Sequence, residues 1–378
     1  MTRKLKIMSV FGTRPEAIKM CPLISRLQRM PEVDSVVCVT AQHRHLLDQV
    51  LPLFDIVPDY DLNLMHEEQT LTDITTGILG GMEKVYAQEH PDLVLVHGDT
   101  TTSFAAALAA FYRKIPVGHV EAGLRTYHRY SPFPEEMNRQ MVDRLAELRF
   151  AATPGNRENL LREGITRNIF VTGNTVIDAL GQTVKPGYRF REERLNGIDF
   201  QTEKVILLTA HRRENLGQPL REICAAVRRL AETHGDTRFV FPVHPNPAVR
   251  ETVYPLLAGQ PGILLTQPLD MEDMHNLLSR SYLVMTDSGG LQEESAALGV
   301  PVVVLRAETE RDELLKAGGA VLSGRTAQEI FAVTAQLLRG TEKYQQMARV
   351  KNPFGDGHAS DRIAAAILNW AASPERNV

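Results

Sequence analysis

Five short segments place charged or polar side chains where an apolar run gives way to glycine or threonine. In FGTRPEAIKM (residues 11–20), Arg14 precedes Pro15, and Lys19 follows about one turn later. Proline suits the first turn of a helix. Cations at the positive end of a helix dipole are electrostatically awkward, so the pair points to a phosphate, with a solvated surface pair as the plainer alternative. In LVHGDTTTSFAAA (95–107), Asp99 follows His97 and Gly98. An Asp there is commonly an N-cap, but the adjacent threonines can cap and release Asp99 for chemistry. In VGHVEAGLRTYHRYSPFPEEMNRQ (117–140), Glu121 closes an apolar run ahead of Gly123. That is the mouth of a strand, the usual catalytic position in a parallel sheet. If a helix begins at Pro134, Glu135 and Arg139 share a face, either as site residues or as an exposed ion pair. LLTAHRREN (207–215) sets His211 beside Arg212 and Arg213 where a strand opens into a loop.

MTDSGGLQEE (285–294) completes the set: an apolar run stops at Ser288, Gly289 and Gly290, and a helical pattern follows. The first N–H groups of a helix lack partners and favour an anion. Glu293 and Glu294 point about 100° apart, so they have separate roles. One could complete a capping box. The other could accept hydrogen bonds from a ribose diol. Phosphate on the glycines and a diol on a carboxylate describe a nucleotide. GxGxxG after a strand, the P-loop, GxSxG and HExxH are all missing, which leaves acid/base chemistry by carboxylates and a histidine, with arginines on an anion.

Such residues need strand ends to hold them. Apolar strands are expected at 6–11, 35–40, 93–97 and 117–120, then at 204–210, 238–244, 263–266, 282–286 and 302–305. Helical patterns such as 101–112 and 220–232 lie between them. Strands apolar on both faces and separated by helices imply parallel βαβ layers. A polar stretch bearing Pro and Gly at 181–201 separates the two series. The reading is α/β, two Rossmann-like domains, each presenting loops at the C-terminal ends of its strands. A last helix at about 360–370 follows NPFGDGH and could pack on either domain.

Composition narrows the class. At 378 residues the chain has room for about two to three domains. A net charge of −4 gives no basic surface for nucleic acid, so individual arginines must carry any anion binding. Three scattered cysteines show no CxxC, which fits reduced thiols in the cytoplasm and no metal framework. No apolar stretch is long enough for a signal peptide or a membrane span.

FGTRPEAIK, VHGDTTT, VEAGLRT, SPFPEEMNRQ, VTGNTVIDAL, TAHRREN and TDSGGLQEE occur in this order along nearly the whole chain. Together they resemble the non-hydrolysing UDP-N-acetylglucosamine 2-epimerases. The resemblance implies a GT-B arrangement of two domains, 1–172 and 173–357, with a UDP-sugar in the cleft between them and a C-terminal helix (about 358–378) returned to the first. It implies reversible conversion of UDP-GlcNAc to UDP-ManNAc by loss of UDP to 2-acetamidoglucal and re-addition. It further implies a cytoplasmic homodimer supplying bacterial surface polysaccharide, with no cofactor, metal, membrane or nucleic acid involved. Asp99, Glu121 and Glu135 match the family's acid/base carboxylates, and His211 its histidine near the diphosphate. Arg14, Lys19 and Arg139 match its first-domain cations. Ser288, Gly289, Gly290 and Glu294 match the nucleotide segment, and Arg311 a further ligand contact. Met274 stands where relatives often have Phe near uracil; a thioether can also cover a ring face. RAETERDE (306–313) departs from the more usual RDTTERPE but keeps Arg311. A hydrolysing 2-epimerase, releasing ManNAc and UDP, and a GT-B glycosyltransferase are the alternatives.

The resemblance also implies a second, activating UDP-GlcNAc site at Gln42, His45 and Glu68. Where controlled relatives tend to read QHRQ and RQT, this chain reads QHRH and EQT. Glu68 reverses a charge where a diphosphate is expected. At an effective dielectric near 20, a unit pair at about 4 Å carries about 4 kcal/mol, so weak or absent activation is expected.

Overall fold

The apolar runs are parallel strands. The computed structural model describes residues 3–40, 47, 49–64, 69–309, 311–340 and 342–373. The chain divides into two compact units, Met1–Gly181 with Gly355–Val378, and Gln182–Phe354. Among the described residues no helix is long and apolar enough to cross a membrane.

In the first unit β1 (Leu5–Phe11), β2 (Val33–Val39), β3 (Tyr60–Asp61), β4 (Leu93–His97), β5 (Val117–Ala122), β6 (Leu148–Ala151) and β7 (Ile169–Val171) form one sheet. Its order is β3-β2-β1-β4-β5-β6-β7, and every pairing in it is parallel. All five residues of β4 are buried, as expected for a strand covered by helices on both faces. The strand order reverses between β1 and β4. Such a switch point opens a crevice beyond the carboxyl ends of the strands. It therefore gathers the residues that follow β1, β4 and β5.

The second unit repeats the plan with β8 (Lys204–Thr209), β9 (Thr237–Pro242), β10 (Ile263–Thr266), β11 (Leu283–Thr286), β12 (Val302–Val304) and β13 (Ala320–Leu322). The order is β10-β9-β8-β11-β12-β13, again parallel throughout. Its switch point, between β8 and β11, gathers the residues after Thr209 and Thr286. Phe239 and Phe241 from β9 fill the core on one side with Leu220, Val227 and Leu230 of the helix Gln218–Thr233.

The stretch 181–201 is not a free linker. Its aromatic residues Tyr188, Phe190 and Phe200 pack on the second unit's core. Buried Asp273 accepts from the Tyr188 hydroxyl (2.9 Å) and from the N–H groups of Arg191 (3.0 Å) and Glu192 (2.9 Å). One carboxylate thus fixes a segment whose polar composition reads as a linker.

The last helix, Ala359–Ala372, belongs to the first unit. Asp178, on the helix Thr175–Thr183, accepts from the N–H groups of Ala359 (3.2 Å) and Ser360 (2.8 Å). It caps the positive end of another helix, which is why VTGNTVIDAL carries an acid at that position. Ile363, Ile367 and Trp370 bury the inner face. Replacing a capping carboxylate typically costs about 0.5–2 kcal/mol. Asp178→Ala should lower the stability of the chain by about that amount in urea unfolding, and an unchanged midpoint would contradict the capping role.

Candidate active site

At the end of β1 the chain turns at Gly12. A Cβ there would lie 2.2 Å from Thr40 Oγ1 and 2.7 Å from Thr102 Oγ1, so the neighbouring strand ends converge only because the residue is glycine. Arg14 and Lys19 then lie on the helix Arg14–Gln28. Glu16, buried beneath them, accepts from Gly12 N–H (3.1 Å) and Thr13 N–H (2.8 Å) with one oxygen. Its other oxygen takes the hydroxyls of Thr100 (2.7 Å) and Ser103 (3.0 Å). A single carboxylate therefore ties the turn after β1 to the turn after β4.

Asp99 follows Gly98, which turns at φ +63°. Thr100 caps the helix Thr101–Tyr112 by accepting from Ser103 N–H at 3.1 Å. That leaves Asp99 Oδ2 to pair with Arg139 Nη2 at 2.7 Å. Asn138 Nδ2 holds the Asp99 carbonyl at 3.0 Å. An exposed Glu135–Arg139 pair is not what forms. Arg139 is buried, with its charge on Asp99 and with Glu136 at 3.6 Å. Among the described residues, Arg139 Nε and Nη1 and Glu135 Oε2 are buried without a hydrogen-bond partner.

The two acids of PEE divide their work. Glu136 accepts from Thr126 N–H (2.9 Å) and Tyr127 N–H (3.1 Å) and so shapes the loop. Burial pushes its carboxyl up, but the bonds from Thr126 and Gln140 and the charge of Arg139 outweigh that and hold it below the usual range. Glu135 opens the helix Glu135–Leu145. A buried carboxylate oxygen lacking a partner is costly to keep, and a ligand would relieve that cost.

Glu121 stands in a β-bulge, where the β5–β6 register shifts between Val120 and Ala122, with its own φ at +66°. A non-glycine residue there carries backbone strain of order 1–3 kcal/mol, and the bulge re-aims its side chain. Its Oε2 meets Lys19 Nζ, Asn174 Nδ2 (2.9 Å) and, at 3.6 Å, His97 Nε2. The Lys19 ammonium, on the helix after β1, thus pairs with this β5 carboxylate.

In the second unit the hub is Asp287, fully buried after β11. Its Oδ2 accepts from the N–H groups of His211 (2.8 Å) and Arg212 (2.9 Å) and from Asn215 Nδ2 (2.8 Å). Its Oδ1 lies 3.3 Å from His211 Nδ1. The His211 ring stacks on His244 at 5.2 Å between centroids. Burial, then the charge of His211, pushes His244 below the usual histidine range. Next in the chain, Ser288 stands at the N-cap of the helix Gly289–Ala297 without capping it. The Arg311 guanidinium lies over Gly289, 3.0 Å from where a Cβ would be, and its Nε donates to Glu293 Oε1 at 2.8 Å. Glu293 therefore pairs with Arg311, and because the third helical position after the Ser288 N-cap is Leu291, neither Glu293 nor Glu294 completes a capping box. Glu294 Oε2 lies 3.7 Å from His275 Nε2, and Met274, next to His275, packs on the core with part of its surface open.

The family described as UDP-N-acetylglucosamine 2-epimerase matches residues 25–368. The UDP-N-acetylglucosamine 2-epimerase of Bacillus subtilis is 51% identical over 367 residues, 97% of this chain and 96% of that protein. The chain belongs to the UDP-N-acetylglucosamine 2-epimerase family. A crystal structure of the Neisseria meningitidis UDP-GlcNAc 2-epimerase bound to UDP-GlcNAc matches at TM-score 0.88 and 46% identity, covering 96% of this chain and 100% of that one. A calicheamicin glycosyltransferase, 15% identical at TM-score 0.62, shares the fold alone, and that fold is of GT-B type.

Of the 2-epimerase segments read from the sequence, FGTRPEAIK, VHGDTTT, TAHRREN and TDSGGLQEE follow the strands that flank the two switch points, VEAGLRT and SPFPEEMNRQ follow β5, and VTGNTVIDAL follows the edge strand β7. Asp99, Glu121, Lys19 and Arg139 come together in the first unit. His211, Ser288, Gly289, Gly290, Glu294 and Arg311 lie on the strand ends and following segments of the second. Gln42, His45 and Glu68 lie outside the described residues. Glu16, Asn174 and Asp287 do not stand out in the sequence as site residues. Glu16 stands three residues after Thr13, a capping spacing. Asp287 sits between Thr286 and Ser288, where it reads as another cap.

Proposed function

We propose that this chain is a non-hydrolysing 2-epimerase that interconverts UDP-GlcNAc and UDP-ManNAc. The sugar C2 has no adjacent carbonyl, so its proton is weakly acidic and direct removal is slow. In the proposed path a base takes the C2 proton while the C1–O bond breaks. Its electron pair leaves with the β-phosphate of UDP, and a C1=C2 double bond remains in 2-acetamidoglucal. UDP then adds back at C1 as an acid delivers a proton to the opposite face of C2. Atoms and charge balance without a redox step.

The observation that carries this reading is the pair of strand-end carboxylates, Asp99 held by Arg139 and Glu121 held by Lys19. Ionised carboxylates favour the positive charge that develops at C1. Proton return to the other face needs a second acid/base group, and Glu135, with its buried unpartnered oxygen, supplies a third candidate. In the second unit, the anion is assigned to Ser288, Gly289, Gly290 and His211, the ribose to Glu294, and the uracil to the neighbourhood of Met274. Arg14 is assigned to the diphosphate. The resemblance alone carries the cytoplasmic homodimer and the supply of ManNAc for surface polysaccharide.

Incubation with UDP-GlcNAc alone, with products followed by NMR, tests the reading. UDP-ManNAc is expected. Free ManNAc with UDP would replace the reading by the hydrolysing reaction, and unchanged UDP-GlcNAc would remove the epimerase activity altogether.

A further inference from the structure

His119 and Asp143 belong to none of the groups assigned above, yet both are fully buried. His119 lies on β5, two residues before Glu121. Its Nδ1 is 2.6 Å from Asp143 Oδ1, and its Nε2 is 2.7 Å from the Gly98 carbonyl oxygen. Both partners accept, and a carbonyl has no proton to give. A neutral imidazole donates from one nitrogen only. Both contacts are hydrogen bonds only if both nitrogens donate, which requires an imidazolium. With a neutral ring, a lone pair would face an acceptor oxygen inside the protein.

The surroundings favour that charge. Asp143 comes from the helix Glu135–Leu145. Its Oδ2 takes Arg125 Nη2 at 2.7 Å and Gly123 N–H at 3.2 Å. Arg125 in turn meets Glu163 at 2.6 Å, and Arg149 Nε donates to the Asp143 carbonyl at 2.8 Å. Charges alternate from Glu163 through Arg125 and Asp143 to His119, so each buried charge has a partner. Burial works against ionised Asp143, but His119 and Arg125 outweigh it and hold the carboxyl below its usual range.

The two ends of this relay grip the two turns that carry the proposed acid/base groups. His119 holds Gly98, the residue before Asp99. Asp143 holds Gly123, two residues after Glu121. Gly98 and Glu121 are both at positive φ, and at Glu121, which carries a Cβ, that conformation persists only with support from its surroundings.

We propose that His119 is a buried imidazolium and, with Asp143, a positioning pair that sets the turns bearing Asp99 and Glu121 relative to each other. The role in turnover rests on the epimerase reading; the charge state does not. Side-chain ¹⁵N NMR of the histidine-labelled wild-type enzyme tests the charge directly, with His119 assigned by its loss in His119→Gln. Two protonated nitrogens of nearly equal shift are expected at neutral pH. The widely separated pair of a neutral ring would overturn the proposal, whatever the enzyme's activity. Misplacing reacting groups by about 1 Å can cost about 10²-fold. In folded His119→Gln, kcat should fall by roughly that factor, with KM for UDP-GlcNAc within about twofold of wild type. Unchanged kcat, or equal losses in kcat and affinity, would refute the positioning role. Absence of turnover in the wild type would instead count against the epimerase reading and leave the NMR result standing.

Discussion

Glu121→Gln should lower kcat by at least about 10²-fold, with nucleotide binding largely kept. Removing a positioned acid/base group typically costs about 10²–10⁴-fold. Glutamine keeps the size of the side chain and can still accept from Asn174, whose Nδ2 is 2.9 Å from Glu121 Oε2. It loses the charge that Lys19 pairs with, so the variant removes chemistry more than packing. Asp99→Asn should behave likewise, losing its charged contact with Arg139. Glu135→Gln is expected in the same class. Steady-state kinetics with UDP-GlcNAc and a separate UDP titration separate the two effects. Near-normal turnover in any one variant would remove that residue from the acid/base set. A matched loss of UDP affinity would make its role one of binding.

Asp287→Ala should weaken UDP binding by about tenfold to a hundredfold. Three donors, His211 N–H, Arg212 N–H and Asn215 Nδ2, converge on one oxygen of a fully buried carboxylate. Hydrogen bonds to a charged group contribute about 1.5–3 kcal/mol each, and buried donors left without an acceptor add a desolvation cost. The chain after β8 would lose the contact that fixes His211 beside the start of the helix Gly289–Ala297. Calorimetric titration with UDP checks the effect. Unchanged affinity with lowered stability would make Asp287 a fold residue only.

Much of the fold is legible in the sequence because the central strands are long and apolar. β1, β4, β8 and β9 each bury nearly every residue, and a continuous apolar run set between helical patterns is the mark of a strand covered on both faces. The outer strands β3, β7 and β13 have two or three residues each, too few to show a period. The stretch 181–201 reads as a linker because Asp273, which binds it, is far away in the chain. The same limit applies at the site. Asp99, Glu121 and His211 stand out because glycine or a cluster of charge flanks them at strand ends. Whether Arg139 pairs with Glu135 one turn away or with Asp99 after another strand depends on which side of the helix faces β4, and helix periodicity alone leaves that open. Glu293 and Glu294 differ for a similar reason: Arg311 claims Glu293 from a later loop. His119 reads as one more core residue of an apolar strand until both of its nitrogens are seen facing acceptors.

In the proposed epimerisation C2 loses its proton and regains one from the medium. Running the reaction in D₂O and examining the product UDP-ManNAc by NMR tests this exchange. Elimination and re-addition through acid/base carboxylates predict deuterium at C2 of the product. Full retention of the original hydrogen at C2 would contradict elimination and re-addition and require a carrier that returns the same hydrogen.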